Sequence, residues 1–426
     1  MKNFIKFISL ILISALLGSI ICFFTNKDGK YLESESFSEE LILKGLKGAR
    51  ALCNDEENIY IALENKILKI DRNNNVFLEL KEEGNIYDLE YYNKFLYYTL
   101  DEKLVSYNIK SSEREVLIED IPNKGINKED TRILINDGKL YLTIGTSTNS
   151  GIVDKEGENP DIPPVDIVLS GRNYDENKKG AFAPYNTKTV KGEKVKGNIL
   201  GNGAIIEFDI ESKKKQLYSY GIRNVKGYSI TSDGKIIAIV GGVEDSGARP
   251  LANDKDYIYK IKEKSWYGWP DFSGGDPVNS PRFIAGKEAN GFIIKNHPTE
   301  VVYGPVYQHK SINALEGLAI DIDGNCLSKD TIVFADNKEK TLYAMNGEGV
   351  AKSIIRLSEG SEIKSIRYHK DSMYILDSGI GCIYKLRNGN NLSVFNLPKI
   401  IWVFLIIFII AIVLIVMIKF KGKKIG

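Results

Sequence analysis

The sequence predicts an all-β fold, a six-bladed β-propeller, and three observations carry the prediction. A strand ending in an apolar or tyrosine-containing pair recurs six times, a second alternating strand follows each one, and no segment of helical period lies between them. The first strands are NIYIAL (58–63), KFLYYTL (94–100), GKLYLTIG (138–145), GKIIAIVGG (234–242), TIVFAD (331–336) and SMYILD (372–377). Their partners are KILKID (66–71), KLVSYNI (103–109), AIIEFDI (204–210), YIYKIKE (257–263), TLYAMN (341–346) and CIYKLRNG (382–389). Alternation with period two gives each strand one face to pack against the next blade. Turn chemistry punctuates the strands at Asn136-Asp137-Gly138, Ser232-Asp233-Gly234 and Asp323-Gly324-Asn325.

Composition agrees with this reading and removes one class of partner. The 426 residues include 23 Tyr and 38 Gly, the makings of strands and tight turns. Lys and Arg number 57 against 56 Asp and Glu, so no basic field exists to collect a phosphate backbone, and nucleic acid is not an expected partner. Cys22 lies in an apolar N-terminal stretch. Cys53, Cys326 and Cys382 are an odd remainder at wide spacings, which define neither a disulfide framework nor a zinc site.

The ends of the chain point to a membrane. Residues 400–420 are apolar except for Lys419, long enough at about 1.5 Å per residue to cross a hydrocarbon core of roughly 30 Å. The tail is basic (Lys419, Lys421, Lys423 and Lys424), and the positive-inside rule places it in the cytoplasm and the preceding domain outside. At the other end Lys2 and Lys6 precede an apolar run over 7–24, which reads as a cleaved signal peptide or a retained anchor; either one exports the domain behind it. LLGSIIC (16–22) has the outline of a lipoprotein cleavage box, but Ile21 stands where a small residue is needed. The expected plan is a signal or anchor over 1–26, a linker over 27–49, the propeller over 50–390, a linker over 391–399, a transmembrane helix over 400–420 and a cytoplasmic tail over 421–426.

Two insertions break the regular repeat. One (146–203) separates the paired strands of the third unit and another (241–256) splits the fourth; both are rich in Gly, Pro and Asn. Insertions on one set of connections gather on one face of a repeat architecture, commonly the binding face.

In the order of its motifs the chain resembles the soluble-type quinoprotein glucose and sorbosone dehydrogenases. The residues that carry the resemblance are GKLYLTIGTSTNSG (138–151), GAFAPYNT (180–187), GNGAIIEFD (201–209), YGIRNVKG (220–227), ARPLAND (248–254), WYGWPDFSGGDP (266–277) and His309 followed by EGLAID. The resemblance implies a six-bladed propeller that binds pyrroloquinoline quinone (PQQ) and calcium. It places Arg223, Asn224 and Lys338 at the cofactor, and Gly242 and Val243 at calcium through their carbonyl oxygens. Those types suit the roles: Arg presents a fork of donors to a carboxylate, and carbonyl oxygens suit a hard cation. Trp266, Tyr267 and Trp269 read as scaffold, packing a loop in which Arg249 and Asp271 are able to pair.

The pattern also breaks. The family's catalytic His is expected shortly before the GKLY strand, where this chain reads GINKEDTRILINDGK; Glu129 and Asp130 are the nearest substitutes. Val240 stands where relatives carry Glu. In SEIKSIRYHK (361–370) the arginines expected at the cofactor are represented by Lys364 and Arg367, and strict alternation turns Arg367 away. The resemblance therefore implies a membrane-anchored extracytoplasmic oxidoreductase that acts on a sugar and passes electrons to a membrane acceptor. The departures imply the alternative, a cofactor-free propeller that binds a carbohydrate or protein at the cell surface.

Overall fold

In the computed structural model, six mainly antiparallel sheets, four of four strands and two of five, are arranged around a central channel. The structure describes residues 32–33, 37–122, 125, 128–284, 289–299, 301–347 and 349–389. The expected signal or anchor, transmembrane helix and cytoplasmic tail lie outside these residues. Among the described residues no helix is long and apolar enough to cross a membrane.

Each blade supplies one inner strand to the channel. These are Ala51–Asn54, Ile86–Tyr92, Ile133–Asn136, Val225–Ile230, Leu315–Asp321 and Ile363–His369, and each touches the next around a closed ring. The repeated first strands of the sequence come second in each blade, and their partners come third. Apolar clusters fill the gaps between blades because the alternating faces meet there. Leu52, Ile61, Leu376 and Ile383 seal blade 6 to blade 1, while Ile239, Ile258, Leu318 and Phe334 seal blade 4 to blade 5. At about 25 cal/mol per Å² of apolar surface removed from water, such interfaces dominate the stability of the ring.

Closure uses a strand that the sequence pattern assigns to a linker. Phe37–Lys44 pairs antiparallel with Cys382–Asn388 and forms the outer strand of blade 6, so the first and last strands of the propeller share one sheet. Its residues are mostly exposed or half-buried, as on any outer strand, so the apolar alternation that marks the buried strands is missing. The compact unit accordingly runs from Ser36 to Asn388.

The insertions behave as expected. Lys139–Ile144 and Ala204–Asp209 pair residue for residue although 146–203 intervenes, and Ile236–Val240 pairs with Tyr257–Ile261 across the second insertion. A third long excursion, 262–306, separates the third and fourth strands of blade 4; within it Ser265–Trp266 adds a parallel strand to blade 3.

Candidate functional site at the channel mouth

Four inner strands carry a bulge close to the end where they enter the channel. The register shifts at Ile86/Leu89, Val225/Gly227, Glu316/Leu318 and Ile363/Ser365. An extra residue breaks the alternation and re-aims side chains. This is why Arg367 faces the channel along with Lys364, against the expectation from strict alternation: it pairs with Glu90 of blade 2 at 2.5 Å. Gly227 is required at its bulge, since a Cβ there would stand 2.8 Å from the amide nitrogen of Leu318.

The charges so presented satisfy one another. Glu316 accepts from Arg132 at 3.2 Å and from Lys364 at 2.9 and 3.1 Å, and Lys364 lies 3.5 Å from Glu362. Asp88 accepts from the Ile133 amide at 2.8 Å. Burial pushes the Glu90 carboxyl up to about 7, with the Arg367 guanidinium opposing, and burial likewise raises Asp88. The Nε atoms of Arg132 and Arg367 have no hydrogen-bond partner among the described residues. A cavity of about 20 Å³ lies among these groups, room for one water-sized molecule.

Arg223 and Asn224, just before the inner strand of blade 4, are both buried. The Arg223 fork is occupied: Nε donates to the Asn149 carbonyl at 3.2 Å and Nη2 to Asn149 Oδ1 at 3.1 Å. Asn149 comes from the first insertion and also receives the Glu244 amide at 2.9 Å, tying the two insertions together over blade 4. Burial holds the Arg223 guanidinium below its usual range. Asn224 donates to Asp130 Oδ2 at 2.7 Å and accepts from the Gly241 amide at 3.0 Å. Asp130 is therefore part of the mouth, whereas Glu129, beside it in the short turn Lys128–Asp130, is exposed. Asn149 was legible only as part of a motif; its role depends on a contact 74 residues away in sequence.

Gly242, Val243, His309 and Lys338 lie at the same mouth, between blades 4 and 5. Asp256 is the hub: Oδ1 accepts from the Gly242 amide at 3.2 Å, Oδ2 from Ala314 at 2.8 Å and Leu315 at 2.9 Å, and its carbonyl from the His309 amide at 2.9 Å. Asp254 accepts from the Val243 amide at 2.6 Å. His309 is 2% exposed, with Nε2 3.1 Å from Asp336 Oδ2, an ion-pair distance without hydrogen-bond alignment. Burial pushes the Asp336 carboxyl up, but His309 and the amides of Glu339 and Lys338 outweigh it and hold the carboxyl below its ordinary value. Asp336 Oδ1 receives the Lys338 amide at 2.9 Å, and the lysine side chain is exposed.

Arg249 and Asp271 pair in the loop layer over blades 3 and 4, 1% and 0% exposed, at 2.8 Å. Arg249 also donates to the carbonyls of Ser150, Pro270 and Gly291 and to the Tyr174 hydroxyl. Asp271 accepts from the amides of Ile293 and Ile294 and contacts His297 Nε2 at 2.9 Å. Every polar edge of the pair is used within the loops, so this pair is scaffold.

Comparison with solved structures places the fold. The PQQ-bound aldose sugar dehydrogenase of Streptomyces coelicolor superposes with a TM-score of 0.54 at 16% identity, over 82% of this chain and 98% of that one. The apo soluble aldose sugar dehydrogenase of Escherichia coli gives 0.56 at 14%, over 83% and 99%. The PQQ domain of the Coprinopsis cinerea pyranose dehydrogenase, in its holo form, gives 0.55 at 11%, over 84% and 98%. This chain carries the propeller fold of the sugar dehydrogenases. No protein-family profile and no curated protein sequence matches it.

The expected cofactor does not fit the mouth as it is built. A quinone bearing several carboxylates needs donors to spare, but the Arg223 fork holds Asn149, Asn224 holds Asp130, and Arg132 and Lys364 share Glu316. Gly242 is explained by packing, since a Cβ there would meet the Lys255 carbonyl at 2.3 Å. Among the described residues no cluster of three or more His, Cys, Asp or Glu is arranged to hold a metal ion.

Proposed function

We propose that this chain is an extracytoplasmic, membrane-anchored propeller that uses the sugar-dehydrogenase scaffold to bind a neutral carbohydrate, a free sugar or a cell-surface glycan, at the mouth between blades 3 and 5. The observation that carries the reading is the self-pairing of the mouth charges. Arg132 and Lys364 share Glu316 with Asp130 and Glu362 beside them, and Arg367, deeper in the channel, faces Glu90 with Asp88 near it, so carboxylates at least match cations where a polyanion would need excess positive charge. A polyhydroxylated ligand asks for something else, donors and acceptors side by side. The half-buried Asp130, Glu316 and Lys364 supply acceptors and a donor at the opening.

The anchoring part rests on the apolar stretch 400–420 and the lysines at its end. Titrating the full chain in detergent with a panel of neutral sugars and wall polysaccharides, followed by calorimetry, tests the binding. Saturable binding that Lys364→Ala weakens supports the reading; silence across the panel sinks it.

A second reading, oxidation of a sugar by a bound quinone, is favoured by the fold shared with quinone-bound structures and by Asp130 at the mouth. Reduction of an artificial dye by sugar, dependent on added PQQ and calcium, distinguishes it from simple binding.

A further inference from the structure

The first and last strand residues of the propeller, Phe37 and Asn388, lie on one edge of blade 6, and it is the edge opposite the mouth. In blade 6 the register puts Ile363, Asp377, Cys382 and Lys44 in one row, and His369, Ser372, Arg387 and Ser38 in the row at the other end. The first row belongs to the mouth, because Asn337, next to Lys338, exchanges hydrogen bonds with both the amide and the carbonyl of Ile363. Six residue steps, Ile363 to His369, at about 3.3 Å each separate the rows, roughly 20 Å. Phe37 and Asn388 are direct partners beyond the far row. Strand Phe37–Lys44 therefore begins, and strand Cys382–Asn388 ends, side by side on the face away from the mouth.

That edge also bears apolar surface. Asn54 reaches His369 at 2.7 Å, which aligns the Asn54, Ile59, Ile70 and Val76 row of blade 1 with the far row of blade 6. From this row the outer strand Val76–Lys81 exposes Val76, Phe77 and Leu78 in succession, at 43%, 48% and 59%. Three consecutive exposed apolar residues are unusual on a soluble rim. Lys69 lies with its Nζ 5.7 Å from the Phe77 ring, a charged tip beside an apolar body. Around the adjacent cavity, of about 290 Å³, the carboxylates of Glu56, Asp71 and Asp371 alternate with Arg72, Lys370 and Arg387. Interleaved charges of both signs suit zwitterionic headgroups.

We infer that the far-side rim formed by blades 6 and 1, with Val76, Phe77 and Leu78, rests on the surface of a zwitterionic bilayer and turns the channel mouth away from the membrane. The inference rests on the anchored reading above and adds an orientation to it. A ligand then reaches the mouth from the exterior, and a glycan some tens of ångströms from the bilayer is within its range.

The test uses the full chain with Cys22→Ser, the other three cysteines being no more than 2% exposed. Phe77→Cys and, separately, Ser246→Cys, an exposed residue of the second insertion whose carbonyl accepts from Asn149 at the mouth, are labelled with an environment-sensitive fluorophore and reconstituted into phosphatidylcholine vesicles. Nitroxide carried on the lipid headgroup is expected to quench the label at position 77 at least threefold more than the label at 246. Equal quenching, or stronger quenching at 246, overturns the orientation. Vesicle flotation separates the two claims: a chain that fails to float loses its anchor and the inference with it, whereas one that floats without quenching at 77 keeps the anchor and loses the rim contact.

Discussion

Arg249 in the loop layer and Arg132 at the channel mouth are both buried guanidiniums opposite a carboxylate, and their surroundings differ in kind. Arg249 spends its donors on Asp271, three carbonyls and a tyrosine hydroxyl, and Asp271 in turn accepts two backbone amides. Arg132 shares Glu316 with Lys364, leaves its Nε without a partner among the described residues and borders a small cavity. The loop pair is complete and holds the insertions in place. The mouth network is balanced in charge but incomplete in hydrogen bonds, which leaves it able to meet a ligand.

The contrast breaks most directly at Asp271. Asp271→Ala would leave Arg249 buried and uncompensated, and breaking such a pair costs about 3–5 kcal/mol. Denaturant titration is expected to show a loss of this order, and a loss below about 1 kcal/mol would remove Arg249 and Asp271 as the clasp of the loop layer.

Next in size comes the pH response of the channel lining. Burial raises the Glu90 carboxyl from its ordinary 4.5 to about 7, so the folded state holds its proton more tightly than the unfolded chain. Stability from this group is present below about pH 4.5 and is lost as pH rises through 7, by about 3 kcal/mol at 1.4 kcal/mol per unit. Melting curves of Glu90→Gln between pH 4.5 and 8 are expected to fall less steeply than those of the parent chain. Parallel curves would show that Glu90 is ordinary.

Glu316→Gln sharpens the contrast from the other side. Removing the shared carboxylate frees Arg132 and Lys364, and affinity for a polycarboxylate such as PQQ is expected to rise about tenfold, near 1.4 kcal/mol. Unchanged affinity would mean that Glu316 is not what neutralises the mouth. Smallest is Lys338→Ala, an exposed side chain whose loss is expected to move stability by less than about 0.5 kcal/mol.

The blades were legible because their second and third strands are buried and alternate, as in TIVFAD, where all six residues are buried. Phe37–Lys44 was not, because an outer strand has only one neighbour and that neighbour lies at the other end of the chain. At the site, residue types were legible and their commitments were not. Arg223 looks the same in sequence whether its fork meets a ligand or Asn149, and only the fold brings Asn149 to it. Arg367 escaped the alternation rule because a bulge at Lys364, which sequence does not announce, reverses the parity of the strand.

The self-paired mouth is the central claim, and calorimetric titration of the full chain with PQQ in the presence of calcium tests it most directly. With its charges self-paired, the parent chain is expected to show no saturable binding at micromolar concentrations; stoichiometric, tight binding there would contradict the self-pairing.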